Sequence, residues 1–418
     1  MFIAICGVKC YYNRVMIAKK EMIRKLLEEG GIAEVIGRKD LEKKLISGKK
    51  IKIKFGADPT RPDLHLGHAV VFRKLREFQE LGHKVLFLIG DATTKIGDPT
   101  GKDKTRPVMS EAEIKKNAET YIKQVSKILK LDKNLLEIRF NSEWYSKMSF
   151  YEFLNLMTMT TAARILERDM FQERMKSGRD IGLHELVYPV MQGYDSVELK
   201  NDVVLLGSDQ KFNELFGRHY QEKFQQDPQT LVIMKLLVGL DGKEKMSKSL
   251  DNYVGVTDNA DQMYGKIMSL PDDAMEEYFE LATDIDKKGL DALRGDVKSG
   301  KISLRDTKMK LAGMIVELYH GAEKAKSAED NFVRVFQKRE SPDKVSSVKI
   351  NVAKIKLTDF MVRSGSAKSI SDARRKIEQG GVSINGKVIT DFRYSANKSD
   401  NGKIIKVGKK DFRKIIFG

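Results

Sequence analysis

Ile51-Lys52-Ile53-Lys54-Phe55-Gly56-Ala57-Asp58-Pro59-Thr60-Arg61-Pro62-Asp63-Leu64-His65-Leu66-Gly67-His68 is the stretch whose reading decides the fold. Ile51, Ile53 and Phe55 alternate with polar residues, the period of a strand. Asp58-Pro59-Thr60 and Pro62-Asp63 break that run. Val71, Leu75 and Phe78 then recur at helical spacing until Gly82. Val85-Leu86-Phe87-Leu88-Ile89 is a continuous apolar run, as expected of a parallel strand covered on both faces. The pattern predicts a βαβ unit with His65 and His68 at the N-terminus of its helix. Free backbone amides and the positive end of the helix dipole favour phosphate there. Imidazoles add directional hydrogen bonds, and Gly67 leaves room for a flat base against the backbone.

A second string, Lys245-Met246-Ser247-Lys248-Ser249, lies far downstream. A loop bearing serine and lysine suits a triphosphate, because Lys245 and Lys248 can supply charge as pyrophosphate departs. Either string alone fits a plainer reading, a surface histidine pair or a solvated basic loop. Together, in this order and with the first on a strand-to-helix turn, they favour a nucleotide site.

Through these strings the chain resembles the class I aminoacyl-tRNA synthetases. Gly56-Ala57-Asp58-Pro59-Thr60, Gly97-Asp98-Pro99-Thr100-Gly101-Lys102, Tyr188-Pro189-Val190-Met191-Gln192-Gly193-Tyr194-Asp195 and Gly207-Ser208-Asp209-Gln210 narrow the resemblance to the bacterial tyrosyl-tRNA synthetases. The likeness runs from about residue 30 to the C-terminus. It implies an α/β fold: a doubly wound parallel-sheet (Rossmann-like) catalytic domain, then a helical domain and a small α+β RNA-binding module. It also implies activation of L-tyrosine with ATP to tyrosyl-adenylate, followed by transfer to the 3′ end of tRNA(Tyr).

The residue roles that follow are those the resemblance implies. His65 and His68 contact ATP, with Gly67 against the adenine, and Lys245 and Lys248 hold pyrophosphate with help from Lys102 and Arg106. Asp209 takes the ribose hydroxyls. Gln210 lies near the reacting carboxylate and phosphate, and Asp98, Tyr188 and Gln192 bind the amino group. An aspartate before proline is also a common turn residue, the plainer reading of Asp98. Asp195 accepts the phenolic hydroxyl, because rejecting phenylalanine demands a buried acceptor. One branch of the family has a tyrosine at the position of Lys54 that also touches the hydroxyl, and a cysteine touching ribose at that of Phe55. Another branch carries a basic residue at the first. Mg2+ is expected on the ATP phosphates, with no dedicated protein metal site.

Composition sets further bounds. At 418 residues the chain has room for two or three domains, and no run of eighteen apolar residues marks a membrane span. Met1–Cys6 is too short, and lacks the preceding basic region, for a secretory signal. Cys6 and Cys10 are too few for a disulfide framework and fit a reducing cytoplasm; half a metal site is the minor alternative. Residues before Met16 match nothing in the family, so Met1, Met16 and Met22 are each candidate starts. The net charge is +17, and residues 351–418 hold 16 Lys+Arg against 6 Asp+Glu, a net of +10. Charge concentrated at one end suggests a polyanionic partner, with Arg374, Arg375 and Lys376 on a helix end as phosphate contacts.

The expected organisation is a helical extension over 1–50, the catalytic domain over 51–257 with a helical insertion, and a helical tRNA-contacting domain over 258–340. A linker over 341–352 precedes the RNA-binding module at 353–418, in which a hairpin turns at Asn385-Gly386. The segment 106–200, including Met157, Leu166 and Met170, resembles the one through which family members dimerise; core packing explains the same pattern. A cytoplasmic homodimer is the expectation. The alternatives are a non-catalytic RNA-binding protein on this scaffold, a tryptophanyl enzyme and a small nucleotidyltransferase.

Overall fold

The computed structural model describes residues 17–60, 64–98, 109–337, 346–408 and 411–418. Two compact units divide the chain, Met1–Gly321 and Ala322–Gly418. The first is built on a six-stranded sheet. Its strands are β1 (Ile32–Ile36), β2 (Lys52–Ala57), β3 (Lys84–Ile89), β4 (Leu136–Phe140), β5 (Val203–Gly207) and β6 (Thr230–Met234), in the order β1-β6-β5-β2-β3-β4. All neighbours are parallel except β1, which runs antiparallel to β6. The chain winds outward in opposite directions from β2 and β5, so the topological switch lies between them.

The expected βαβ unit is present, with helix α1 (Leu66–Glu80) between β2 and β3. Strand periodicity sends Ile53 and Phe55 to one face of β2 and Lys54 to the other. Phe55 packs against Phe72 of α1 and Phe87 of β3, with ring centroids at 5.0 and 5.8 Å. Lys54 is also buried, because the opposite face is covered by α2 (Leu183–Leu199) and α3 (Lys211–Lys223). These two helices approach closely at glycines. A Cβ on Gly193 would stand 2.9 Å from Tyr220 Cδ2, and one on Gly217 would stand 2.7 Å from Ser196 Oγ.

Beyond the sheet lie the helices Ala260–Met268, Met275–Ala282, Lys287–Lys298 and Leu304–His320. Met275–Ala282 is tied to the segment before the Lys245 string: Tyr278 Oη donates to the Val238 carbonyl at 2.8 Å, and Glu277 Oε1 accepts from the Val238 amide at 2.9 Å. Among the described residues no helix is long and apolar enough to cross a membrane.

The second unit carries a five-stranded sheet in the order β10-β9-β12-β13-β7 and a two-stranded ladder, β11-β8. Here β7 is Ser346–Ile350, β8 Lys354–Lys356, β9 Val382–Ile384 and β10 Lys387–Val388; β11 is Ser395–Asn397, β12 Ile404–Val407 and β13 Asp411–Phe417. Helices α4 (Leu357–Arg363) and α5 (Ile370–Glu378) contribute Phe360, Met361, Ala373 and Ile377 to its core. The hairpin turns where expected, with Asn385 at φ 45° and Gly386 at φ 84°, both left-handed as a two-residue turn of this hand requires.

Strands β1, β4 and β7 fall where the sequence reading differs. β1 lies in the 1–50 stretch read as a helical extension, and β4 lies within 106–200, the span read for a helical insertion. β7 falls in the span read as linker and pairs in parallel with β13. Each is short and takes its order from its partner strand, not from its own periodicity.

Candidate active site

The carboxyl ends of β2 and β5 sit side by side, since Ile53 pairs with Val203 and Lys54 with Val204. Asp58 follows β2 directly, and Asp209 and Gln210 follow β5 on a single 3-10 turn, Ser208–Gln210. In open α/β sheets this crevice is where ligands bind.

At its outer side His65 caps α1, and its backbone amide lies 3.4 Å from His68 Nδ1; the two rings are 4.0 Å apart. His65 Nδ1 is buried and has no hydrogen-bond partner among the described residues. Burial pushes His65 down to about 2 and His68 to about 4, with the positive charges of Lys248 and Lys245 acting in the same direction. The downstream string closes over this helix end. The Gly67 amide donates to Met246 Sδ at 3.4 Å, and Leu66 donates to the Val254 carbonyl at 3.0 Å. Lys245 Nζ meets Asp209 Oδ2 at 3.0 Å, and Lys248 Nζ stands 5.9 Å from the Tyr253 ring centroid. Asn252 pins the turn. Its side chain accepts from the Ser247 amide at 2.8 Å and donates to Asp241 Oδ2 at 2.6 Å and the Lys245 carbonyl at 3.3 Å.

Deeper in the crevice, Tyr188, Gln192 and Asp195 share one face of α2, being four and three residues apart. Tyr188 Oη donates to Asp58 Oδ2 at 2.9 Å, and Thr93 Oγ1 donates to Asp58 Oδ1 at 2.8 Å. Burial, then the carboxylates of Asp58 and Asp98, holds the Tyr188 phenol well above its ordinary value. Gln210 Nε2 donates to Asp98 Oδ2 at 2.8 Å, with the Arg168 guanidinium 3.9 Å from the other oxygen. Asn213 Nδ2 joins Gln210 Oε1 at 3.1 Å to Gln192 Oε1 at 2.8 Å, and Gln192 Nε2 donates to Glu214 Oε1 at 2.8 Å.

Asp195 occupies a separate, buried end. Trp144 Nε1 donates to its Oδ1 at 3.0 Å, and Asn141 Nδ2 lies 3.4 Å from Oδ2. Burial lifts Asp195 to about 7, against the opposing charge of Lys54 and the donors Asn141 and Trp144.

The structure thus gathers His65, Gly67, His68, Lys245, Lys248 and Asp209 at one end, and Asp98, Tyr188, Gln192, Gln210 and Asp195 at the other. Lys102 and Arg106 lie outside the described residues. Arg374, Arg375 and Lys376 belong to the second unit, on α5. Sequence reasoning missed Asp58 as a partner of Tyr188, Trp144 and Asn141 around Asp195, and Asn213 and Asn252. One signal was present: polar Asn213 and Glu214 follow Gly207-Ser208-Asp209-Gln210 on a helix face that turns out to be buried.

Comparison with known proteins gives the family. The family model for class I tRNA synthetases (W and Y) matches residues 47–337. The chain belongs to that family. A second model, for a tyrosine–tRNA ligase SYY-like C-terminal domain, matches residues 337–415. The tyrosine–tRNA ligase of Moorella thermoacetica is 46% identical over 410 residues, spanning 97% of this chain and 98% of the relative. That of Thermotoga maritima is 44% identical over 387 residues, 93% of this chain and 96% of the relative. Relatives of this name along nearly the whole length disfavour the tryptophanyl and non-catalytic alternatives. Among solved structures, a C-terminally truncated mitochondrial tyrosyl-tRNA synthetase of Aspergillus nidulans shares the fold at a TM-score of 0.64 and 24% identity, covering 79% of this chain and 99% of that one. The tryptophanyl-tRNA synthetase of Plasmodium falciparum shares it at 0.56 and 17%, covering 76% and 93%.

The two imidazoles at the α1 terminus should stay neutral through the physiological range. Nitrogen chemical shifts of His65 and His68 are expected to hold their neutral-ring values on titration from about pH 8 to about pH 5, although free histidine protonates near 6.5. A ring titrating near 6.5 would show that the helix end is open to water.

Proposed function

We propose that the crevice activates L-tyrosine with ATP and that the chain then transfers tyrosine to tRNA(Tyr), as a class I tyrosine–tRNA ligase. One observation carries the assignment of residues: both ATP strings meet over the ends of β2 and β5, where Gly67 reaches Met246 and Lys245 reaches Asp209.

The tyrosine carboxylate attacks the α-phosphorus of ATP in line, forming the acyl–phosphate bond as the bond to pyrophosphate breaks. No covalent enzyme intermediate is needed, so catalysis is positioning plus charge stabilisation that grows toward the transition state. His65 and His68, as neutral donors, address ATP from the α1 terminus, where the orphaned Nδ1 of His65 fits a polar ligand. Lys245 and Lys248, with Lys102 and Arg106, take the departing pyrophosphate. Magnesium arrives on the ATP phosphates as part of the substrate. Asp209 takes the ribose hydroxyls once Lys245 turns to phosphate. Asp98, Tyr188 and Gln192 hold the ammonium group, Gln210 lies by the reacting centre, and Asp195 accepts the phenol. In the second step the tRNA 3′-terminal hydroxyl attacks the adenylate carbonyl and AMP leaves.

The C-terminal unit serves the tRNA. Arg374 lies over the Phe392 ring, 4.0 Å from its centroid, and Arg375 and Lys376 project from α5 while pairing with Asp372 at 2.7 and 3.0 Å. The same reading makes the enzyme a cytoplasmic homodimer. Met157, Leu166 and Met170 pack inside the chain, whereas Phe150 and Tyr151 are 71% and 81% exposed, with Leu154 beside them on the helix Phe150–Thr158. An apolar helix face left so open is what a partner surface covers.

Tyrosine-dependent ATP–pyrophosphate exchange tests the reading, with tryptophan and phenylalanine inert. Lys248→Ala is expected to slow adenylate formation by about ten-fold or more with tyrosine affinity nearly unchanged, because its contact strengthens only as charge develops. Single-turnover rates and equilibrium binding separate the two effects.

Asp195→Ala is expected to harm tyrosine far more than phenylalanine. A buried acceptor gives about four to five orders of magnitude of discrimination, most of which disappears with it. Exchange kinetics on a variant whose circular dichroism matches the parent checks this.

Arg375→Ala should weaken tRNA binding and make its salt dependence shallower by about one unit of slope, one phosphate contact being lost. Pyrophosphate exchange should be unaffected. Filter binding across salt concentrations, beside exchange assays, gives both answers.

A further inference from the structure

Lys54 is a buried charge for which the reaction described above has no task. It leaves β2 on the face away from Phe55, and its side chain is 1% exposed. Nζ donates to Ser196 Oγ at 2.7 Å and lies 2.7 Å from Glu214 Oε2. Ser196 follows Asp195 directly on α2. Glu214 is shared in turn: Oε1 accepts from Gln192 at 2.8 Å, and Oε2 accepts from Gln229 Nε2 at 3.0 Å. One ammonium thus stands between the residue assigned to the substrate phenol and a residue assigned to its amino group. Packing does not require it, since a buried ion pair is seldom more stable than apolar side chains of the same volume.

We propose that Lys54, paired with Glu214, is a positioning residue for tyrosine: it holds Asp195 as a charged acceptor for the phenol and, through Glu214, fixes the Gln192 amide at the other end of the substrate. The inference rests on the reading of Asp195 as that acceptor. The ionisable groups that act most strongly on Asp195 among the described residues include Lys54 from β2, Tyr145 from the turn Ser142–Tyr145 and, on the far side, Tyr188 of α2 itself. Asn141 and Trp144 are neutral donors. Lys54 is a cation acting on Asp195, and it opposes the burial that lifts the carboxyl to about 7. With it gone, Asp195 takes up a proton at a higher pH and presents a weaker acceptor at neutrality.

Lys54→Met alone strands Glu214 without its cation, so the full-length double variant Lys54→Met/Glu214→Gln, which removes both charges together, carries the test. Tyrosine- and phenylalanine-dependent pyrophosphate exchange is measured from about pH 6 to about pH 9, after circular dichroism confirms the fold. The expected result is a loss of tyrosine-over-phenylalanine discrimination at pH 7 of about ten-fold or more, partly restored about one to two pH units higher. The KM for tyrosine should rise while that for ATP stays put, a split that general destabilisation does not produce. Asp195→Ala is run in parallel. Discrimination lost in Asp195→Ala but kept at every pH in the folded double variant overturns the role of Lys54 alone. Discrimination kept in both overturns the phenol assignment and this inference with it.

Discussion

The parallel pairing of β2 with β5, Ile53 beside Val203 and Lys54 beside Val204, determines where chemistry can occur in this fold. Parallel strands place their carboxyl ends on the same edge, so the turn carrying Asp58 and that carrying Asp209 and Gln210 face one crevice. Helices on both faces follow from that pairing, because each crossover must return across the sheet. α1 then presents its N-terminus to the same edge, and α2 lays Tyr188, Gln192 and Asp195 over it. If β5 lay elsewhere in the sheet, the His65 and Asp209 turns would not share a site.

Beneath the crevice a run of hydrogen bonds passes from Asp98 through Gln210, Asn213, Gln192 and Glu214 to Lys54 and Ser196. Buried polar groups cost free energy unless paired, by about 1–3 kcal/mol each in mutational terms. Asn213 and Glu214 are buried in a helix where an apolar side chain would be the cheaper filling. Their pairing fixes side-chain orientations before substrate arrives, and prior orientation is what a reaction without covalent catalysis most needs.

Much of this was legible in the chain, and the boundary of what was legible is physical. The β2–α1–β3 unit could be read because period-two and period-3.6 patterns are local, as is the left-handed turn at Asn385-Gly386. β1, β4 and β7 could not, since short strands take their order from a partner distant in sequence, as β7 does from β13. The Asp195 surroundings were hidden for the same reason: Asn141 and Trp144 lie 54 and 51 positions away, and nothing local marks them as its donors. Phe55, matched in the resemblance to a ribose-touching position, is instead a core residue between Phe72 and Phe87. One strand alternates, so adjacent Lys54 and Phe55 serve opposite faces.

Several groups of the proposed ATP end are paired with one another. The Gly67 amide, part of the positive end of α1, is taken by the weak acceptor Sδ of Met246, and Lys245 is taken by Asp209. Both partnerships are exchangeable at small cost: a thioether is a poor acceptor, and the Lys245–Asp209 pair is half exposed on the lysine side. On the proposed reading, phosphate oxygens would replace the thioether at the amide and ribose hydroxyls would replace Lys245 at Asp209, leaving Lys245 for the charge that builds on pyrophosphate. The turn that carries both lysines is meanwhile held in shape by Asn252, which bonds to the Ser247 amide and the Lys245 carbonyl, backbone groups and not the lysine side chains. Holding the backbone through Asn252 while the Lys245 side chain stays half exposed is the arrangement the proposed reading needs, since it leaves the lysine available for an interaction that strengthens in the transition state.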